Sequence, residues 1–259
     1  MKSANIYSDI SRPNTLSKKI HPGWIAAAVT FATLMATAGF RSAPSVLIVP
    51  LEDAFGWSRS QISLAVSINV MLFGLVAPFA AALMERFTVR KVVMSALSLV
   101  ALSASSTIFM TQPWHLWLLW GVGVGTGAGS MALVFAATVA NRWFIKRKGL
   151  VIGGLTAAAA TGQLIFLPGL SWLAVHHGWK SVSIVVGCAS LIMVPIIFLF
   201  LKESPKHINH KPYGADHSYE HPTLLKTNAG KLAIETLKQS LPKRDFWYLV
   251  GSFFVCGLS

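Results

Sequence analysis

Residues 24–51 read WIAAAVTFATLMATAGFRSAPSVLIVPL, an apolar stretch whose one charged side chain is Arg41. A helix rises about 1.5 Å per residue, and the hydrocarbon core of a bilayer is about 30 Å thick. These 28 residues are therefore long enough to cross a membrane as a helix. The stretch predicts a transmembrane span.

The same pattern recurs along the chain. Five further segments of 20 to 27 residues contain no charged side chain: Ile62–Met84, Val92–Thr111, Trp114–Ala140, Leu150–Ala174 and Ser181–Leu201. A seventh apolar segment begins near Phe246 and reaches Ser259 after 14 residues, which is too short to cross. We expect an all-α integral membrane protein with six complete spans and a truncated seventh, and we interpret the sequence as a piece of a longer protein.

The charged residues support a membrane assignment and predict its orientation. Only 12% of the 259 residues are charged, about half the share in soluble domains. Nineteen of the 22 Lys and Arg residues lie on one side of the predicted spans, and only Arg59 and Lys180 lie on the other. Because basic loops stay in the cytoplasm, we predict a multi-pass protein of the cell (inner) membrane with a cytoplasmic amino terminus.

The net charge of +13 is explained by this topology and by contact with the lipid bilayer. We therefore predict no nucleic acid partner. The chain divides into a cytoplasmic tail (1–23), a six-helix bundle (24–201), a cytoplasmic linker (202–245) and the start of a seventh span (246–259). Six spans, a basic linker and a new span fit one half of a two-bundle transporter built from inverted three-helix repeats.

Arg41 is the candidate for binding chemistry. A guanidinium deep in a bilayer costs at least about 2.5–3.5 kcal/mol, so something must offset it. Thr30, Thr33, Thr37 and Ser45 recur around it at spacings of three or four residues and share one helix face. That face is predicted to border a hydrated cavity or the bundle interior, where Arg41 binds an anionic group of a small solute. The alternative is that Arg41 snorkels to the outer surface or pairs within the bundle.

Two amides, Asn69 and Gln163, also lie deep in predicted spans. Each can hydrogen-bond a substrate or another helix, and interhelical contact is the commoner role. Glycine occupies every second position from 121 to 129 in span 4. This run predicts close helix packing, since a phosphate-binding loop needs a strand before it.

Intramembrane enzymes are the main competing class. A serine protease needs a general base beside its nucleophile, and no His, Asp or Lys lies deep in a span to activate Ser130. The histidines between 207 and 221 are irregularly spaced and lie without cysteine in a Pro-rich segment, so we predict no metal, cofactor or catalytic residue. A non-transporting sensor or scaffold that works through residues 202–245 is the alternative to a transporter.

Three stretches resemble the amino-terminal half of a major facilitator superfamily transporter. Residues 81–91 read AALMERFTVRK, similar to the family pattern G-x-L-x-D-R-x-G-x-R-K with Ala, Glu and Thr at its first, fifth and eighth positions. Residues 55–59 (FGWSR) and 141–149 (NRWFIKRKG) resemble the branch that includes monocarboxylate transporters and oxalate–formate antiporters. The resemblance implies two six-helix bundles, alternating access and a small organic anion as substrate, with protons as a candidate coupling ion.

These arguments give two sets of candidate residues. The substrate-binding set is Arg41, Thr37, Ser45, Asn69 and Gln163. The gating set is Glu85, Arg86, Arg90, Lys91 and Arg142. In the second set we expect the carboxylate at the end of span 2 to meet basic side chains and the positive end of a helix, forming a latch that holds one access state. The alternative is that the basic residues only orient the protein in the membrane by the positive-inside rule. That role would need the basic residues but not Glu85.

Overall fold

Short loops and long apolar segments fold the chain into an antiparallel bundle. The structure is a computed structural model that describes residues 21–131, 133–203, 205, 211–215, 234–235, 238–248 and 251–252. Within these residues, six helices are long and apolar enough to cross a membrane: α1 (Pro22–Phe55), α2 (Arg59–Arg86), α3 (Val89–Phe109), α4 (Pro113–Trp143), α5 (Lys148–His177) and α6 (Trp179–Phe200).

The six predicted spans are confirmed as helices. Each helix begins one to three residues before its apolar segment. The first turn of a helix is often polar, because its free N–H groups favour capping and solvent contact. The tail 1–20, most of the predicted linker and most of the predicted seventh span lie outside the described residues.

The motif at 55–59 forms the turn between α1 and α2. Gly56 ends α1 with a φ of +67°, the left-handed conformation that glycine adopts readily. Ser58 then caps α2 in a reciprocal capping box. The rings of Phe55 and Trp57 stack across the turn, with centroids 4.4 Å apart. The turn is tight, so α1 and α2 run in opposite directions.

Three helix pairs make the most extensive contacts: α1 with α5, α2 with α4, and α3 with α6. If α1, α2 and α3 correspond to α4, α5 and α6, the pair of α1 with α5 corresponds to the pair of α4 with α2. The pair of α3 with α6 corresponds to itself. The contact pattern is therefore symmetric under this exchange, as expected for two three-helix repeats.

The glycines of α4 allow this packing. A Cβ at Gly125 or Gly129 would lie 2.9 Å from the Cα of Asn69 or Phe73 in α2. A Cβ at Gly127 would lie 2.9 Å from a carbonyl oxygen of α3. Larger residues would push the backbones apart, so the predicted packing role of the glycine run is confirmed.

A short segment after α6 folds back onto the bundle. The backbone N–H of Tyr213 donates to the carbonyl of Trp143 at 2.8 Å. The Tyr213 ring lies 5.8 Å from the ring of Trp24 and 5.9 Å from that of Phe144, measured between centroids. Residues 211–215 are thus attached to the beginning of α1 and the end of α4, which lie on the same side of the bundle.

Candidate functional site

A cavity of about 390 Å³ lies between α1, α2, α4 and α5. Phe73, Ala128 and Gln163 line it, and each lies within one residue of the middle of its helix. The cavity is therefore at half the depth of the bundle. Most of its wall is apolar, formed by Leu34, Ala38, Phe73, Ala128, Met131, Leu133, Ala136, Leu155, Ala159 and Ala160.

Four polar side chains interrupt this wall: Thr37, Arg41, Thr156 and Gln163. The two threonine hydroxyls each donate to a carbonyl of their own helix at 2.9 Å. Neither the guanidinium of Arg41 nor the amide of Gln163 hydrogen-bonds to any described residue. The cavity thus combines a cation and an amide, both with unused donors, and an apolar surface.

The guanidinium of Arg41 lies over an aromatic ring instead of beside a carboxylate. Its central carbon is 4.8 Å from the ring centroid of Phe73, within the range of a cation–π contact. The two ion pairs among the described residues join other arginines to glutamates at helix ends. Sequence reasoning missed Phe73, because one phenylalanine in an apolar span gives no distinguishing signal.

The polar stripe predicted on α1 divides in the structure. Thr30 and Thr33 are fully buried, and each hydroxyl donates to a carbonyl of the preceding turn at 2.8 Å. Ser45 lies in a separate depression between α1 and α5. Thr37 and Arg41 are the members of the stripe that line the central cavity.

The two predicted amides also have different surroundings. Asn69 is buried, and its side-chain N–H donates to the carbonyl of Trp120 in α4 at 2.8 Å. That is the interhelical contact considered as its alternative role. Gln163 lines the cavity. Of the predicted binding residues, the structure brings together Thr37, Arg41 and Gln163.

A second polar cluster lies at the helix ends on the side where α1 begins. Arg142, near the end of α4, donates to the carboxylate of Glu203 at 2.7 Å and to the carbonyl of Met84 in α2 at 3.1 Å. The same carboxylate accepts from the backbone N–H groups of Val89 at 2.9 Å and Arg90 at 3.4 Å. We call these five residues the rim cluster. It satisfies groups that the end of α2 and the start of α3 leave unpaired.

Glu203 makes the kind of contacts that we expected of Glu85, with a basic side chain and with the positive end of a helix, here the start of α3. Glu85 is exposed and forms no ion pair with a described residue. Because α6 packs along α3, Glu203, three residues after the end of α6, reaches the beginning of α3. The available signal was an isolated acid in a basic segment immediately after a span.

The basic residues of the 81–91 motif also differ in their surroundings. The guanidinium carbon of Arg90 lies 4.5 Å from the ring centroid of Phe198 in α6. Arg86 and Lys91 are exposed. Arg90 and Arg142 thus contact their own bundle, whereas Glu85, Arg86 and Lys91 present charge at its surface.

Six antiparallel membrane-length helices, four of which line a cavity at mid-depth, define a polytopic membrane protein. The model of the Major Facilitator Superfamily matches residues 29–259, and the chain belongs to this superfamily. Its fold is that of an amino-terminal six-helix bundle of the superfamily, in a multi-pass membrane protein. The resemblance found in the three sequence stretches is confirmed.

Similar proteins include the uncharacterized MFS-type transporter YcxA of Bacillus subtilis (strain 168), 30% identical over 185 residues that cover 70% of this chain and 45% of that protein. Monocarboxylate transporter 13 of Bos taurus is 28% identical over 174 residues (66% and 40%). Monocarboxylate transporter 7 of Homo sapiens is 29% identical over 195 residues (74% and 35%). The chain spans less than half the length of these relatives.

Proposed function

We propose that the complete protein is a secondary active transporter of small organic anions, of the monocarboxylate kind. It works by alternating access as a symporter or antiporter. The observation that carries this proposal is the guanidinium of Arg41, which lies in a cavity at half the depth of the bundle and pairs with no described acceptor. Relatives named as monocarboxylate transporters support the same substrate class.

The chemistry of the cavity favours a carboxylate with an apolar body. The planar fork of an arginine side chain matches the two oxygens of a carboxylate. The Gln163 amide and the Thr37 hydroxyl oxygen are placed on the same cavity to bind further polar atoms of the solute. The alanine-rich remainder of the wall suits methyl or methylene groups. A single cation favours a monoanion over a dianion.

The gate is proposed at the helix ends beside the rim cluster. Arg142 joins the end of α4 to the end of α2, and Arg90 joins the start of α3 to α6 and to Glu203. The exposed charges of Glu85, Arg86 and Lys91 are then available to pair with a second bundle, and breaking those pairs would open this side. We place this side in the cytoplasm of a bacterial cell, bounded by the inner membrane, because the basic loops lie here.

Coupling to protons needs a group that can carry one. The six predicted spans contain no acidic residue. We therefore assign a proton-carrying carboxylate, where the transport uses one, to Glu85 or to the other half of the complete protein.

Uptake into proteoliposomes by the complete protein tests the substrate class. Labelled lactate, pyruvate and benzoate are the probes, and uncharged lactamide is the control. We expect saturable uptake of at least one carboxylate and none of lactamide. Equal uptake of the acid and its amide would contradict the proposal. So would uptake of neither by folded protein in vesicles that carry a proton gradient and are preloaded with the same carboxylates.

A further inference from the structure

We propose that Phe73 is a positioning residue for Arg41: its ring stabilises the cation while leaving the N–H donors free for an anion. This inference rests on the proposed function. It begins from the distance of 4.8 Å between the guanidinium carbon of Arg41 and the ring centroid of Phe73.

A carboxylate and an aromatic ring would affect anion binding by Arg41 in different ways. A carboxylate beside Arg41 would neutralise the charge and occupy the N–H groups that a solute must use. An aromatic ring attracts the cation through its negative face and accepts none of the in-plane donors. Because no described carboxylate contacts Arg41, the ring is the one specific partner that the described residues give it.

The backbone that carries the ring is held in place by the packing of α2 on α4. The backbone of Phe73 lies against Gly129, where a Cβ would be 2.8 Å from the Phe73 carbonyl oxygen and 2.9 Å from its Cα. The backbone therefore has little freedom to move toward α4. Phe73 also lies at the middle of α2, on the same cavity as Arg41. The helix packing therefore places Phe73 at the depth of the cation.

Fluorination separates the electrostatic role of the ring from its shape. Replacing Phe73 with mono-, di- and trifluorophenylalanine withdraws charge from the ring face with little change in volume. In the complete protein, we expect the KM for the transported carboxylate probe to rise with each fluorine, by about 3- to 30-fold in total, with a much smaller change in maximal rate. Phe73→Trp should keep the low KM, and Phe73→Leu should raise it.

Phe79 provides the matched control. It lies on the same helix, is 45% exposed and does not line the cavity. The same fluorinated series at Phe79 should leave the KM unchanged. A flat KM across the Phe73 series, while Arg41→Ala abolishes uptake, would overturn the role of Phe73 and leave the proposed function intact.

A readout without transport keeps the two proposals separable. Phenylglyoxal modifies guanidinium groups, and peptide mass spectrometry resolves the rate at Arg41 in the complete protein. We expect faster modification of Arg41 when Phe73 is trifluorinated, with no change at Arg59. If wild-type protein takes up none of the carboxylate probes, the proposed function fails, and an unchanged rate at Arg41 would reject the role of Phe73 as well.

Discussion

Arg41 and Arg142 are two guanidinium groups in one bundle with opposite surroundings. Arg142 lies at a helix end and donates to the carboxylate of Glu203 and the carbonyl of Met84. Arg41 lies near the middle of the bundle, over the ring of Phe73, without an acceptor among the described residues. Arg142 therefore forms hydrogen bonds that join the helix ends, whereas the N–H donors of Arg41 form no hydrogen bond with a described residue.

The difference has opposite consequences for stability. Removing one member of a buried ion pair leaves the other charge uncompensated. Arg41 is a cation that no described carboxylate compensates, and a cation at this depth is costly, so its removal should not destabilise the bundle. Mutations at the two arginines should therefore separate folding from binding.

The largest effect is expected at Arg41. In the complete protein, Arg41→Ala should reduce the ratio of maximal uptake rate to KM by about 100-fold or more, because a desolvated carboxylate loses its charged partner. Thermal stability in detergent should be unchanged or higher. Arg41→Lys should retain part of the uptake, since it keeps the charge but loses the planar fork.

Arg59→Ala is the matched control for Arg41, since Arg59 pairs with Glu52 at an exposed helix end. It should alter neither uptake nor stability by a measurable amount. An Arg41→Ala protein that transports normally but unfolds at a lower temperature would assign Arg41 to structure.

Arg142→Ala should lower the free energy of unfolding by about 1–3 kcal/mol, because the partly buried carboxylate of Glu203 loses its arginine and keeps only backbone N–H donors. Thermal or denaturant unfolding in detergent measures this loss, and the KM of the folded fraction should change little. A double-mutant cycle with Glu203→Gln isolates the coupling of the pair. A coupling energy near zero would show that the rim cluster does not stabilise the bundle.

Gly129→Ala should destabilise the bundle by about 1–3 kcal/mol, because the added methyl group meets the α2 backbone. The contact is at Phe73, so the variant should also raise the KM for the carboxylate probe. Gly153→Ala is the control, since a Cβ there has no atom within 4 Å. Equal effects of the two substitutions would contradict the close approach of α2 and α4.

The smallest effects are expected at the two amides. Gln163→Ala should raise the KM by about 2- to 10-fold with little change in stability, the size of one hydrogen bond. Asn69→Ala should lower stability by about 1–2 kcal/mol through the loss of its bond to Trp120, with an unchanged KM. A higher KM for Asn69→Ala, together with a lower stability for Gln163→Ala, would mean that Asn69 binds the solute and that Gln163 stabilises the bundle.

The sequence predicts features that depend on a residue and its near neighbours. The helical spans follow from runs of apolar residues, and the close packing of α4 follows from glycine at every second position. The free-energy cost of placing the Arg41 guanidinium in a bilayer can be recognised from its position in an apolar segment. The sequence could not show that Thr30 and Thr33 are buried while Thr37 lines the cavity, because shared spacing assigns a face but not what that face contacts.

The ion pair of the rim cluster shows a second limit of prediction from sequence, which concerns partners that are far apart along the chain. Glu85 lies within the motif and is the obvious acid, but Glu203 contacts the start of α3 from 114 residues away. Arg142 and Glu203 are separated by 61 residues. Local patterns carry no information about such partners until the helix pairing is known.

By itself, the sequence determined that this protein is an all-α membrane protein with one cation at depth, because hydrophobicity, charge and spacing are properties of the chain. The tertiary structure alone decided which residues surround that cation and which acid joins the helix ends. Those partners come from different helices, and the packing of α2 on α4 and of α3 on α6 places them. The physical reason is that a contact between distant residues depends on the geometry of whole helices, which no short stretch of sequence contains.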